Sequence, residues 1–341
     1  MILVTGGTGL VGSHLLFKLV ESGQPVRALY REGSVVENTL RIFCWRNPSG
    51  ENLFDRIDWV EGDVQDVSSL QDAMQGVKEV FHCAALVSFD TREKKNLYRI
   101  NELGTANMVN AALEAGVEWF CHVSSIAALG SPEENEAIDE STPWKADIRH
   151  SHYSMSKFAA EREVWRGMEE GLKAVILNPS IILGPGPKGK ASCRLFRAIR
   201  QGLRFHPGGS NGFVDVRDVV DAMLLLREKQ LTGQRYVVSG INCSYRQLFE
   251  WMADELGKPA PTRLIPSYIL KHAWLLDAIR GFLTASPREF TREMARSAIQ
   301  DASYRNDKIK AETGISFRDI HDTLSYLKAY CFSQRNKYCG D

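Results

Sequence analysis

Tyr153 and Lys157 stand four residues apart in "HYSMSK" (152–157), a spacing that puts two side chains on one face of a helix. Such a pair suits proton transfer to or from a reacting oxygen. A free tyrosine, with a pKa of about 10, is a poor base at neutral pH, and a neighbouring ammonium lowers that value electrostatically. The same spacing recurs in "SYRNDK", where Tyr304 precedes Lys308. With 10 tyrosines in the chain, a chance match to so short a pattern is expected. The surrounding elements must tell the two pairs apart.

Strand-length apolar runs alternate with longer amphipathic stretches through the first half. Strands are predicted over 1–5, 25–30, 57–63, 77–85, 117–125 and 173–180, and helices over 9–23, 97–115 and about 153–170. The alternation predicts an α/β fold, a Rossmann-type doubly wound parallel sheet covered on both faces. Ligands of such sheets lie beyond the carboxyl ends of the strands. The fifth strand runs into "HVSSIAALG" (122–130), so Ser124 or Ser125 faces that crevice, and a helix starting near Tyr153 brings Tyr153 and Lys157 to it. Phenol, ammonium and hydroxyl together would serve carbonyl reduction, the hydroxyl holding the substrate oxygen. Tyr304 follows the end of the strand ladder and is expected to pack or make a surface hydrogen bond.

Residues 31–56 form a longer connection than βα units need, with turn chemistry in "WRNPSGEN" and no evident role. Beyond residue 183 the pattern changes. "LGPGPKGK" (183–190) and "HPGGSNG" (206–212) are Gly/Pro-rich loops around a basic helix carrying Arg194, Arg197 and Arg200, and the rest to about 330 is mostly helical. The expected division is a dinucleotide-binding domain of residues 1–183 with 212–240 and a smaller, mostly helical substrate-binding domain of 184–211 with 241–330.

The 341 residues are 44% hydrophobic and 25% charged, with 42 acidic and 42 basic side chains. That balance gives no reason to expect a nucleic-acid partner, and no apolar run approaches the ~18–20 residues of a membrane span. "MILVTGG" enters a strand with neither a basic region nor a cleavage site, so the cytoplasm is the expected compartment. Seven cysteines are scattered without C-x-x-C or histidines at ligand spacing, so no metal site is expected. Cys83 and Cys121, in apolar strands, are expected to be small buried thiols.

"VTGGTGLVG" (4–12) places Gly6, Gly9 and Gly12 between the first strand and the first helix. Gly6 permits a tight turn, Gly9 lets backbone approach a pyrophosphate, and Gly12 lets the helix pack closely, with the helix N-terminus attracting the anion. Thr8, Leu10 and Val11 complete this loop as dinucleotide contacts. After the second strand, "ALYRE" has Tyr30 where an NAD site uses an acid, followed by Arg31. A guanidinium suits a 2′-phosphate, which favours NADP, while Glu32 keeps NAD open. Asp63, with Val64 beside it in "EGDV", ends the third strand, where its carboxylate would accept from an adenine amino group or simply shape a turn.

In order and separation, "TGGTGLVG", "GDV", "FHCAA", "NELGTANMVNAA", "VSSIAALG", "YSMSK", "NPSIILGPG" and "FVDVRDVVDAM" resemble the extended short-chain dehydrogenase/reductases, the NAD-dependent epimerase/dehydratase group. The resemblance covers nearly the whole chain. It implies Ser125, rather than Ser124, as the catalytic hydroxyl beside Tyr153 and Lys157, all in contact with cofactor or substrate. It implies Asn101 as support for a proton relay to the lysine, helix packing or capping being the alternative. Backbone of Cys83, Ala84 and Ala85 would line the cofactor, and Pro179, Ser180, Ile181 and Ile182 would approach its nicotinamide. Asp215, Arg217 and Asp218 match a family signature to which a structural role is assigned.

Sugar-nucleotide epimerases resemble "R-Y-F-N-V-Y-G-P" after the sixth strand and carry an Arg shortly before "F-V". Here Ile181 replaces the Asn, and Asn211 and Gly212 stand where the Arg is expected. "VRALYR", "VFHCAA" and "NPSIILGP" more closely resemble the dihydroflavonol reductase-like branch. That implies an NADP-dependent oxidoreductase for a small hydrophobic ketone or secondary alcohol. The alternatives are a nucleotide-sugar epimerase or dehydratase and a non-catalytic NADP-binding sensor. A homodimer is implied by the resemblance alone. "SYILKHAWLLDAIRGFL" (267–283) carries Trp274, Leu275, Leu276, Ile279, Phe282 and Leu283 at roughly helical spacing, expected as core rather than pocket or membrane-contact surface.

Overall fold

Ile2–Thr5 (β1) is buried at every position, as befits a strand covered on both faces. It leads through the Gly-rich turn into α1 (Leu10–Glu21) and then β2 (Val26–Tyr30). The computed structural model describes residues 1–131, 136–145, 150–186, 192–266, 268–269 and 291–333. β3 (Asp58–Glu61), β4 (Glu79–His82), β5 (Trp119–Val123), β6 (Ala174–Pro179) and a later strand, Gln234–Val238, complete one seven-stranded sheet. Starting from Gln234–Val238, its order is that strand, β6, β5, β4, β1, β2, β3, and every pairing is parallel. The order reverses between β1 and β4, where a crevice opens beyond the strand ends.

Each face of the sheet has its own core. Leu15, Leu16 and Phe17 of α1 join Val219, Val220 and Met223 on one side; Leu70, Met108, Val109 and Val164 pack on the other. The latter residues come from helices Val67–Ala73, Gly104–Glu114 and His152–Glu169. A third cluster lies apart from these two. There the helices Ser192–Arg200, Tyr245–Leu256 and Ile320–Cys331 enclose Phe196, Leu248, Met252, Leu324 and Leu327. A three-stranded sheet joins the two regions: Ser210–Asp215 pairs with Ile181–Leu183 on one edge and with Ile241–Ser244 on the other. Its first three residues fall within the stretch expected as a loop. A disulfide links Cys193 to Cys331 with Cα atoms 5.5 Å apart, tying two helices of the third cluster together.

The 31–56 connection contains two helices, Glu37–Arg46 and Gly50–Phe54. Thr39 Oγ1 donates to the Gly7 carbonyl at 2.9 Å, and Phe43 packs edge-on to Phe17 of α1. On the other side, Trp45 meets the rings of Tyr326 and Tyr330 at 4.8 and 5.2 Å. This connection therefore braces the Gly-rich loop against the last helix. Among the described residues no helix is long and apolar enough to cross a membrane. The apolar stripe at 274–283 lies outside the described residues.

Candidate active site

The Gly-rich turn has little room for side chains. Gly6 has φ +69°, and a Cβ there would stand 2.7 Å from both Ala84 N and the Cys83 carbonyl carbon. A Cβ on Gly12 would fall 2.2 Å from the Gly6 carbonyl oxygen, so α1 packs directly on the turn. Gly9 caps α1 without a side-chain hydrogen bond, and the first turn contains no acid. Its leading N–H groups and the positive end of the helix can therefore meet an anion. Leu10 reaches across to the 184–186 loop, where a Cβ on Gly186 would lie 3.2 Å from its side chain. These features fit a dinucleotide phosphate.

Arg31 is exposed at the carboxyl end of β2. Asp63 Oδ1 accepts from the Gln65 N–H at 2.9 Å, the turn-forming alternative, and Val64 gives its carbonyl to Asn107 Nδ2 at 2.9 Å. Pro179 ends β6; Ser180 leads into Ile181–Leu183 and is fixed by its N–H to the Val238 carbonyl.

Beyond β5, Ser125 caps a short turn, its Oγ accepting from the Ala127 N–H at 3.1 Å. Ser151 caps the long helix His152–Glu169, which delivers Tyr153 and Lys157 from its first two turns to the same place. Burial pushes the pKa of the Tyr153 phenol up, against the opposing influence of the Ser125 hydroxyl. Lys157 is 1% exposed and donates from Nζ to the Val123 carbonyl at 2.9 Å. Burial draws its pKa down to about 8, against the opposing charge of Glu161. Phe89 meets the Tyr153 ring edge-on at 5.4 Å, adding an apolar wall.

Behind this trio runs a directed hydrogen-bond chain. Ala84 N–H donates to Thr5 Oγ1 at 3.2 Å, and Thr5 Oγ1 lies 2.8 Å from His82 Nδ1. On the other ring edge His82 Nε2 lies 3.1 Å from Thr105 Oγ1, which itself donates to the Asn101 carbonyl at 2.6 Å. Since a hydroxyl has one proton to give, Thr105 accepts from His82. The imidazole is neutral with its proton on Nε2, in keeping with burial lowering its pKa to about 3. Asn101 sits in a π-type turn, Tyr98–Leu103. Its Oδ1 accepts from Leu86 N–H at 2.7 Å, and Nδ2 donates to the Leu86 carbonyl and Ser156 Oγ at 3.0 and 2.9 Å. The side chain thus clamps the loop after β4 to the tyrosine-bearing helix.

Elsewhere, Asp215 caps the helix Val216–Glu228 and binds Arg217, while Asp218 holds Arg318, contacts that support the fold. Burial drives the Cys83 thiol up to about 12, leaving its backbone as the part that meets the Gly-rich turn. Sequence reasoning passed over Thr5, His82, Phe89, Thr105, Glu161 and Asn178. Glu161 had a signal: it continues the Tyr153–Lys157 face by one further turn, an acid on the buried side of a helix. The others become visible only when strands separated in sequence are paired.

The model of the NAD dependent epimerase/dehydratase family matches residues 2–239. The chain is 33% identical over 332 residues to a putative dihydroflavonol 4-reductase of Synechocystis sp., covering 94% of this chain and 92% of that one. It is 31% identical over 279 residues to sterol demethylase protein B of Methylococcus capsulatus, covering 80% of each. The crystal structure of gox2253 superposes with a TM-score of 0.79 at 29% identity, over 97% of both chains.

Proposed function

Because the chain belongs to the NAD dependent epimerase/dehydratase family, and so is an NAD(P)-dependent oxidoreductase, we propose that it interconverts a ketone and a secondary alcohol on a small hydrophobic substrate, with NADP as cofactor. The observation that carries this reading is the convergence beyond β5 of Ser125 with the buried Tyr153 and Lys157, both on the first turns of one helix and the lysine anchored on the Val123 carbonyl. The bound nicotinamide supplies the hydride, or receives it in the reverse direction. Gly6, Thr8, Gly9, Leu10, Val11 and Gly12 would hold the pyrophosphate end, Arg31 the 2′-phosphate, Asp63 and Val64 the adenine, and Cys83, Ala84, Ala85 and Pro179 to Ile182 the nicotinamide end.

The phenol, held protonated by burial, gives its proton to the developing alkoxide while Ser125 binds the same oxygen. The phenolate that results is stabilised by the Lys157 ammonium. Phe89 excludes water from one side of the tyrosine. At the position of the arginine expected in nucleotide-sugar enzymes, Asn211 is 7% exposed and turns its Oδ1 to the Gly212 N–H. It offers no charge to a diphosphate, which favours the reductase branch, as does the identity to the Synechocystis protein.

The test is turnover of a panel of hydrophobic ketones with NADPH, beside UDP- and dTDP-sugars. Net NADPH oxidation with ketones alone is expected; sugar conversion without net oxidation overturns the proposal. For the cofactor, Arg31→Ala should cost about 1.5–3 kcal/mol of NADPH affinity, the worth of a charge-assisted contact, and leave NADH unchanged. Equal effects on both in binding calorimetry would remove Arg31 from the 2′-phosphate site. A homodimer belongs to this reading on resemblance alone, and light scattering measures it.

A further inference from the structure

Glu161 lies one helical turn beyond Lys157 and two beyond Tyr153, so the three share a face. Lys157 and Glu161 are each 1% exposed. Asn178 Nδ2 donates to Glu161 Oε1 at 2.5 Å and to the Ser125 carbonyl at 2.9 Å, so both amide hydrogens of one side chain join the carboxylate to the backbone of the reacting serine. On the other oxygen, Arg235 Nη1 stands 3.3 Å away. Arg235 also donates to the Glu140 carbonyl and lines a cleft of about 620 Å³ at the sheet edge, with Glu140, Trp165, Gly233, Gln234 and Lys308. This cleft is the outer end of the array; the reacting groups lie at its inner end.

We propose that Glu161 is a positioning residue that holds Lys157 as an ammonium and, through Asn178, fixes Ser125, a role that rests on the reading above. The physical reason is the company Lys157 keeps. It stands among His82 from β4, His122 from β5, Cys83 just beyond β4 and Glu161 from its own helix, with Tyr153 one turn back on the same helix. Burial keeps both imidazoles neutral, with His82 at about 3 and His122 well below its ordinary value. The thiol and phenol are pushed up and are neutral too. Glu161 is the one carboxylate in that set, and its own partners are donors: Asn178 and Arg235. A buried ammonium without a counter-charge gives up its proton. The carboxylate offsets that tendency from one helical turn away; burial pushes its own pKa up, and the Arg235 guanidinium and Asn178 amide oppose that rise and favour its ionised form.

The Lys157 ε-amine can be titrated by NMR in isotope-labelled, cofactor-free protein, its signal assigned by its loss in Lys157→Arg. In Glu161→Gln the titration midpoint should fall by about one pH unit, and the alkaline fall of ketone-reduction kcat/KM should move with it. Glu161→Asp, which keeps the charge and tolerates a smaller change in packing, should stay within about half a pH unit of wild type. An unmoved midpoint in Glu161→Gln, or an equally large fall in Glu161→Asp, overturns the role. Should Glu161→Gln not fold, the aspartate variant still decides. The amine titration needs no turnover. A moved midpoint in a protein that reduces no ketone leaves the Glu161 role standing and removes the reductase reading. An unmoved midpoint in a protein that does reduce ketones has the reverse meaning.

Discussion

Tyr153 and Tyr304 are both buried and both precede a lysine by four residues, yet their surroundings give the two pairs different work. Tyr153 and Lys157 belong to one continuous helix, whose first turns point at the end of β5. Tyr304 lies ahead of its helix, which starts at Asp307 after the cap Asn306. The chain there bridges to Ile138, and the phenol packs with Leu129, Ile138 and Val237. Lys308 turns away to donate to the Arg235 carbonyl at 3.0 Å and to lie over the Tyr236 ring. Spacing becomes geometry only inside an element, and the element must end where the chemistry is.

The sharpest way to break this contrast is to remove each hydroxyl. Tyr153→Phe should lower kcat for ketone reduction by about 10³-fold, the scale of a lost general acid, with cofactor affinity nearly kept. Tyr304→Phe should leave kcat within about threefold, because its hydroxyl has no part in proton transfer. Equal losses in steady-state kinetics would erase the distinction.

The pH profile sharpens it further. Lys157, its pKa lowered by burial to about 8, is charged at neutral pH and loses its proton as pH rises through that value. Reductive kcat/KM is therefore expected to be level near pH 7 and to fall above about 8, in wild type and in Tyr304→Phe alike. A rise across that window would contradict the assigned role of the ammonium.

A smaller effect separates the two regions by stability. The Cys193–Cys331 bond closes a loop of 138 residues in the third core cluster, so reduction should cost about 2–4 kcal/mol, read as a lower melting temperature. Denatured, unreduced protein should then titrate two thiols fewer than denatured, reduced protein. Equal thiol counts and an unchanged melt would show the two sulfurs to be merely adjacent.

The parallel sheet was legible because its strands are short apolar runs of uniform kind, and the Gly-rich turn because close backbone contact admits few residues. The Tyr153 helix was legible from its place after the fifth strand. The connection at 31–56 was not, since Thr39, Phe43 and Trp45 are explained by partners far away: Gly7, Phe17 and the tyrosines of the last helix. Likewise the bond between residues 193 and 331 has no local signature. The chain from Thr5 through His82 and Thr105 to Asn101 draws on β1, β4 and a later helix, each member of which looks ordinary where it stands.

The brace formed by residues 37–46 has a consequence for recombination. One of its sides is fitted to the Gly-rich loop, the other to the helix Ile320–Cys331, itself bonded to Ser192–Arg200. A chimera that takes its catalytic half from this chain and its specificity half from a relative would inherit a mismatched joint near residue 45. Such an exchange works as a three-piece transplant, with the early insert travelling alongside the late helices.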